Sequence, residues 1–297
     1  MPNDIALKSG GVIIALKSTI HLPLVEVTHG RDIMQKARPI LIFDSGVGGL
    51  SIYQAVKQRL PGLEVVYCSD SKGFPYGPRQ EDDVVQRTCY FLQALTERYH
   101  PSLAIIACNT ASTVALPFVR QLLNITVVGV VPAIKTAAEL SVSRRIGLLA
   151  TPGTVCRAYT DRLIANFASD CEVIRVGSSD LVHMAEDVLR GKTINQQALR
   201  SIVAPFFQGS RTVDAIVLGC THFPLLKKKL QHVAPSAVTW VDSGHAIARR
   251  VETLLGSGSA YVTGSFTGGN DTYIDTLHST TLSGTPFTRL SELGFFV

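Results

Sequence analysis

At 297 residues with 46% hydrophobic content, the chain is long enough for two α/β domains with filled cores, and its excess of 28 basic over 23 acidic side chains suits an acidic metabolite while excluding a dedicated nucleic-acid binder. Six scattered cysteines (68, 89, 108, 156, 171 and 220) lack C-x-x-C spacing, which excludes a zinc ribbon and a disulfide scaffold and points to reduced thiols. The apolar patch at 11–16 is too short to span a bilayer and has no cleavage pattern behind it, so a cytoplasmic protein with no membrane partner is expected.

Residues 1–37 show no clear period and read as an N-terminal extension of uncertain order, closed by Ala37-Arg38-Pro39. The first convincing strand is 40–43, followed by Asp44-Ser45-Gly46-Val47-Gly48-Gly49-Leu50-Ser51 and a helix over 52–60. The dinucleotide fingerprint would want a glycine where Ser51 stands, and no Gly-Lys-Ser/Thr is present. Asp44 would also repel a phosphate held there, whereas it could hold an ammonium group or orient a proton-transfer residue; as an ordinary N-cap it would do neither. A strand over 64–70 then runs into the Gly/Pro-rich stretch 71–79, a loop in which Tyr76 and the Gly77 N–H could meet a substrate carboxylate or simply pack a surface turn.

After a helix over 81–99, the apolar run 103–107 stops at Cys108-Asn109-Thr110-Ala111-Ser112. Asn, Thr and Ser cap helices, so Cys108 stands where a strand hands over to a helix, and the helix start is expected to shift it toward thiolate. Strand 125–131 follows, and Pro132 restarts the βα alternation: helix to 140, strand 145–150, Thr151-Pro152-Gly153-Thr154 into a helix from 155, strand 171–176, and helices over 180–190 and 195–207. Apolar run 215–218 then ends on Gly219-Cys220-Thr221-His222-Phe223-Pro224, with a helix from 225 whose Lys227-Lys228-Lys229 reads as a solvated face. After 240–244 a helix to 255 returns to the first unit, with a last strand or two beyond it.

The alternation predicts two similar parallel-sheet α/β domains in a pseudo-twofold arrangement, one built from 38–131 plus 242–297 and the other from 132–241, with the active site in the cleft between them. Each presents one strand-end cysteine. A free cysteine alone is most often a small buried residue. Two in matched settings could stand on opposite sides of a small substrate, as inversion of a stereocentre through a planar carbanion requires.

The ordered motifs from Phe43 to Ser51, Pro75-Tyr76-Gly77, Cys108 to Ser112 and Gly219 to Leu226 resemble the glutamate racemase family over roughly residues 39–265. The resemblance implies cofactor-independent, metal-free interconversion of L- and D-glutamate, supplying D-glutamate for peptidoglycan. It implies that Cys108 and Cys220 are the acid/base pair, with Cys108 acting on D-glutamate and Cys220 on L-glutamate. Asp44 would assist the first cysteine and His222 the second. Asp44, Ser45, Pro75, Tyr76, Gly77, Asn109, Thr110, Thr221 and His222 would hold the substrate, with Thr154 or Thr151 matching a threonine of the second domain. The family's Cys-Pro before a glutamate is replaced here by Gly177-Ser178-Ser179-Asp180, which leaves Glu186 as a supporting candidate. Sister enzymes acting on aspartate, hydantoins or maleate, and a non-catalytic binding module, stay open. So do monomer against homodimer and activation by a cell-wall precursor.

Overall fold

The computed structural model describes residues 5–9, 12–16, 38–209, 212–235, 238–256, 271–275 and 280–283. In the extension, β1 (Ile5–Ser9) and β2 (Val12–Leu16) pair as an antiparallel hairpin that sequence reading did not place, and the rest of 1–37 lies outside the described residues.

The larger sheet contains β3 (Ile40–Asp44), β4 (Val65–Ser69), β5 (Leu103–Ile106) and β6 (Thr126–Gly129), and the smaller contains β7 (Arg145–Ala150), β8 (Glu172–Gly177), β9 (Ala215–Leu218) and β10 (Thr239–Val241). All of these pairings are parallel. At one edge of the larger sheet β11 (Thr272–Asp275) continues the parallel order on β4, and β12 (Thr280–Ser283) closes it antiparallel. Both sheets repeat one topology: the second strand lies outside the first, and the third and fourth follow on its other side, as β4-β3-β5-β6 and β8-β7-β9-β10. The chain therefore forms two parallel-sheet α/β units. In such open sheets the crevice for ligands opens beyond the carboxyl ends of the first and third strands, where the order reverses.

Helices α1 (Leu50–Arg59), α2 (Glu81–Tyr99), α3 (Asn109–Leu122) and α4 (Ile134–Leu140) lie along the first half of the chain. Along the second run α5 (Pro152–Cys156), α6 (Ala158–Phe167), α7 (Asp180–Leu189), α8 (Gln196–Val203), α9 (Lys227–Val233) and α10 (Gly244–Leu255). They bury the larger sheet on both faces, so β3, β4 and β5 are covered along their whole length, which is why they read as unbroken apolar runs. Two further clusters cover the smaller sheet.

Three expected helices are more broken than their periodicity suggested. The helix from 155 divides at Arg157, whose backbone is extended and whose guanidinium reaches Glu81 at 3.1 Å. The helix over 195–207 ends as a 3₁₀ turn, Ala204–Phe207, because Pro205 has no N–H for the α ladder. Pro224 likewise opens a 3₁₀ turn, Phe223–Leu226, before α9. Of the lysine run, Lys228 and Lys229 are exposed, while Lys227 Nζ pairs with Asp242 at 3.2 Å. No helix among the described residues is long and apolar enough to cross a membrane.

Candidate active site

The third strand of each sheet leads into a cysteine loop, and both loops line one cleft. Cys108 follows β5 as the N-cap of α3, and Cys220 follows β9 directly after Gly219. A cavity open to solvent carries both cysteines in its wall. Ser45 comes from the end of the first strand of the larger sheet, and Thr151 and Thr154 from the corresponding place in the smaller one. Pro75, Tyr76, Gly77, Asn109, Thr110, Thr221 and His222, which sequence reading also singled out, line the cavity too. Thr151 and Thr154 belong there together, their hydroxyls 2.9 Å apart.

Burial governs the chemistry of Cys108. Its thiol donates to Ser45 Oγ at 3.5 Å, and burial, reinforced by the charge of Asp44, pushes it up to about 12. The thiolate shift anticipated from the helix start is thus overturned: the Ala111 N–H does stabilise the thiolate, but desolvation of a charge outweighs it. Asp44 is also placed differently from expectation. It is wholly buried behind Ser45 and does not line the cavity; Oδ1 accepts from Gly46 N–H at 2.8 Å and Oδ2 from Thr221 Oγ1 at 3.0 Å. Burial raises its carboxyl to about 6 against the opposing charge of His222. Asp44 therefore holds the Gly46 backbone and Thr221 in place, and it is not an N-cap, since that position belongs to Gly49.

On the other wall His222 is 2% exposed. Its Nδ1 lies 4.0 Å from Cys220 Sγ, and its Nε2 meets Glu186 Oε1 at 3.1 Å. Glu186 in turn accepts from Arg190 Nη2 through Oε2 at 3.0 Å. Burial would lower the imidazole, but its hydrogen bonds to Cys220 and Glu186 and the charges of Cys220 and Asp44 prevail and raise it to about 10. Burial likewise opposes ionisation of Glu186, yet His222 and Arg190 hold the carboxyl below its ordinary value. The result is a Glu186–His222–Cys220 chain with an imidazolium at neutral pH.

Tyr76 sits on the wall, but its hydroxyl turns away and donates to Asp70 Oδ2 at 2.7 Å. Asp70 also takes Arg87 Nε at 2.5 Å and Nη2 at 2.8 Å. This buried clamp fixes the 71–79 loop, so Tyr76 anchors Pro75 and Gly77 rather than offering its hydroxyl to a ligand. Sequence reading missed Phe74, Ser179, Val182 and His183 on the wall. Val182 and His183 precede Glu186 by four and three residues and so share its helix face, a signal that was available. Phe74 packs on both His222 and His183, with ring centroids 5.5 and 6.2 Å away. Among the described residues no group of three His, Cys, Asp or Glu side chains could hold a metal ion.

Residues 40–251 match the Asp/Glu/Hydantoin racemase family. The glutamate racemase of Escherichia fergusonii is 49% identical over 73% of this chain and 76% of its own, and that of Serratia proteamaculans is 49% identical over 74% and 77%. Among solved structures, Escherichia coli glutamate racemase in complex with L-glutamate and the activator UDP-MurNAc-ala superposes with a TM-score of 0.71 at 48% identity, covering 73% of this chain and 82% of that one. A glutamate racemase isoform from Bacillus anthracis gives 0.69 at 25% identity over 81% and 88%. With its fold, its family match and these identities in agreement, the chain belongs to the Asp/Glu/Hydantoin racemase family, as an isomerase of the glutamate racemase kind.

Proposed function

We propose that the chain interconverts L- and D-glutamate by a two-base mechanism in which Cys108 and Cys220 act on opposite faces of the α-carbon. The observation that carries this reading is the placement of both thiols in the wall of one cavity, each from the third strand of its own sheet. With L-glutamate bound, the Cys220 thiolate, held beside the His222 imidazolium, takes the α-proton. The electron pair remains on the α-carbon as a planar carbanion, and the Cys108 thiol delivers its own proton to the other face. Cys220 is then the thiol and Cys108 the thiolate, the complement needed for D-glutamate. The hydroxyls of Ser45, Thr110, Thr151, Thr154 and Thr221, the Asn109 amide and the Pro75-Tyr76-Gly77 loop supply polar contacts for the ammonium and carboxylate groups.

The same reading assigns the product to peptidoglycan synthesis in the cytoplasm, and residues 38–131 with 242–297 and 132–241 to the two domains. The likeness to the Escherichia coli enzyme supports a UDP-MurNAc-alanine-type activator for this chain as well. Monomer and homodimer are to be distinguished by light scattering.

The test follows the α-proton in deuterated water by NMR, with chiral analysis of product and with L-aspartate in parallel. L-glutamate should racemise in the presence of EDTA and of a carbonyl reagent, and alkylation should stop turnover unless glutamate protects. Either cysteine changed to Ala should lose at least ~10²-fold in net inversion. Cys220→Ala should wash deuterium into D-glutamate alone, and Cys108→Ala into L-glutamate alone. Undiminished inversion in either variant would defeat the two-base reading, and faster turnover of aspartate than of glutamate would defeat the substrate assignment.

A further inference from the structure

We infer that Gly48 is a positioning residue for the reaction: its missing side chain makes the space in which the His222 imidazole lies against Cys220. This rests on the two-base reading above. A Cβ on Gly48 would stand 2.2 Å from His222 Nδ1, 2.6 Å from Cε1 and 2.8 Å from Cγ, inside the 3.0 Å that real Cβ contacts respect. The clash is with the nitrogen that faces Cys220 Sγ. The ring has nowhere to retreat, because Glu186 holds Nε2 at 3.1 Å and Phe74 packs on the ring.

Backbone geometry does not account for a glycine at this place. Only Gly191, Gly209 and Gly256 have positive φ among the described glycines, and Gly48 is not one of them. Its neighbours have other tasks: a Cβ on Gly46 would meet the Phe74 ring at 2.9 Å, and one on Gly49 would meet Asp44 Cβ at 2.7 Å. A second contact fixes the approach. Ser51 Oγ lies 2.9 Å from both the Gly48 and the Thr221 carbonyl oxygens, so one hydroxyl bridges the glycine loop of the larger sheet and the cysteine loop of the smaller. Gly48 thus sets, from one sheet, the proton-transfer geometry of a residue carried by the other.

A double-mutant cycle separates this role from a general structural one, since His222→Ala removes the ring that the new methyl would strike. Gly48→Ala should lower kcat with L-glutamate about 10²-fold, in keeping with the cost of roughly 1 Å of misplacement at a reacting group, with a much smaller change in KM. It should also displace the His222 imidazole ¹⁵N resonances, a readout independent of turnover. Gly48→Ala/His222→Ala should match His222→Ala alone. Losses that multiply in the double variant, wild-type turnover in Gly48→Ala, or unmoved ¹⁵N resonances would each overturn the inference. If Gly48→Ala does not fold but the double variant does, the contact is supported; if neither folds, Gly48 serves something other than the ring and the inference fails. A wild-type chain that leaves glutamate unracemised would instead defeat the underlying reading, and the ¹⁵N comparison would still decide the placement of the ring.

Discussion

Asp44→Asn should stabilise the protein above pH 6 while impairing it as a racemase. Burial raises the Asp44 carboxyl from its ordinary 3.8 to about 6, so between those values the folded chain holds a proton that the unfolded chain has released. The stability conferred by the neutral acid is therefore full below 3.8 and is lost as pH rises to about 6. At ~1.4 kcal/mol per pH unit the difference is roughly 3 kcal/mol. Asn is nearly isosteric: its Oδ1 can still accept from Gly46 N–H, and its Nδ2 can donate to Thr221 Oγ1 once that hydroxyl reverses. Any loss in those two bonds is independent of pH, so the pH dependence of the difference between variant and wild type isolates the carboxyl. Urea denaturation followed by circular dichroism from pH 4 to 8, with equal m-values as the control, should show the variant gaining about 2.5 kcal/mol on wild type, most of that difference, and then levelling off. Racemisation should fall meanwhile, because the Thr221 hydroxyl on the cavity wall must turn over to accept from the amide. Curves that stay parallel from pH 4 to 8, or a wild type that gains on the variant as pH rises, would refute this account of the buried carboxyl.

Glu186→Gln should move the His222 titration down from about 10, because the carboxylate is among the groups that raise it; the alkaline limb of the L-to-D rate should shift to lower pH, and an unmoved limb would count against the Glu186–His222–Cys220 chain. Stability linked to His222 should be present below pH 6.5 and lost as pH rises through about 10, a fall measurable by denaturation and reduced in the same variant. Tyr76→Phe deletes the hydroxyl that donates to Asp70. It should cost ~1.5–3 kcal/mol, the usual worth of a hydrogen bond to a charged group, and raise KM more than it lowers kcat, whereas unchanged KM would show that the clamp does not hold the binding loop.

Much of the site was legible because it lies where short apolar runs stop. Cys108 and Cys220 end strands that are buried on both faces, so a fully covered parallel sheet left a period-free signal with a sharp boundary. The parts that were not legible depend on long-range proximity. Nothing local says that the Tyr76 hydroxyl turns to Asp70, since Arg87 joins the cluster from the middle of α2. Asp44 reads as a strand-end carboxylate that could hold an ammonium group or cap a helix, and only the approach of Thr221, 177 residues away, shows it to be a buried support. For Cys108 the local principle was sound and the net sign was wrong: a helix start is visible in sequence, while the extent of desolvation around a thiol is a property of the assembled fold.

That desolvation makes the two halves of the proposed reaction unequal at rest. With Cys108 pushed up to about 12, forming its thiolate near pH 7.5 costs about 6 kcal/mol at ~1.4 kcal/mol per pH unit. In the free protein Cys108 is therefore a proton donor, and the imidazolium beside Cys220 stands on the side of the base. In the other direction Cys108 must lose its proton in the same buried place, where Asp44 adds a like charge. An entering substrate ammonium brings a positive charge beside this buried thiol, and an opposite charge within a few ångströms lowers a thiol's pKa. On the two-base proposal the D-directed base would form only as its substrate enters, which would leave Cys108 protonated, and so inert as a nucleophile, beforehand.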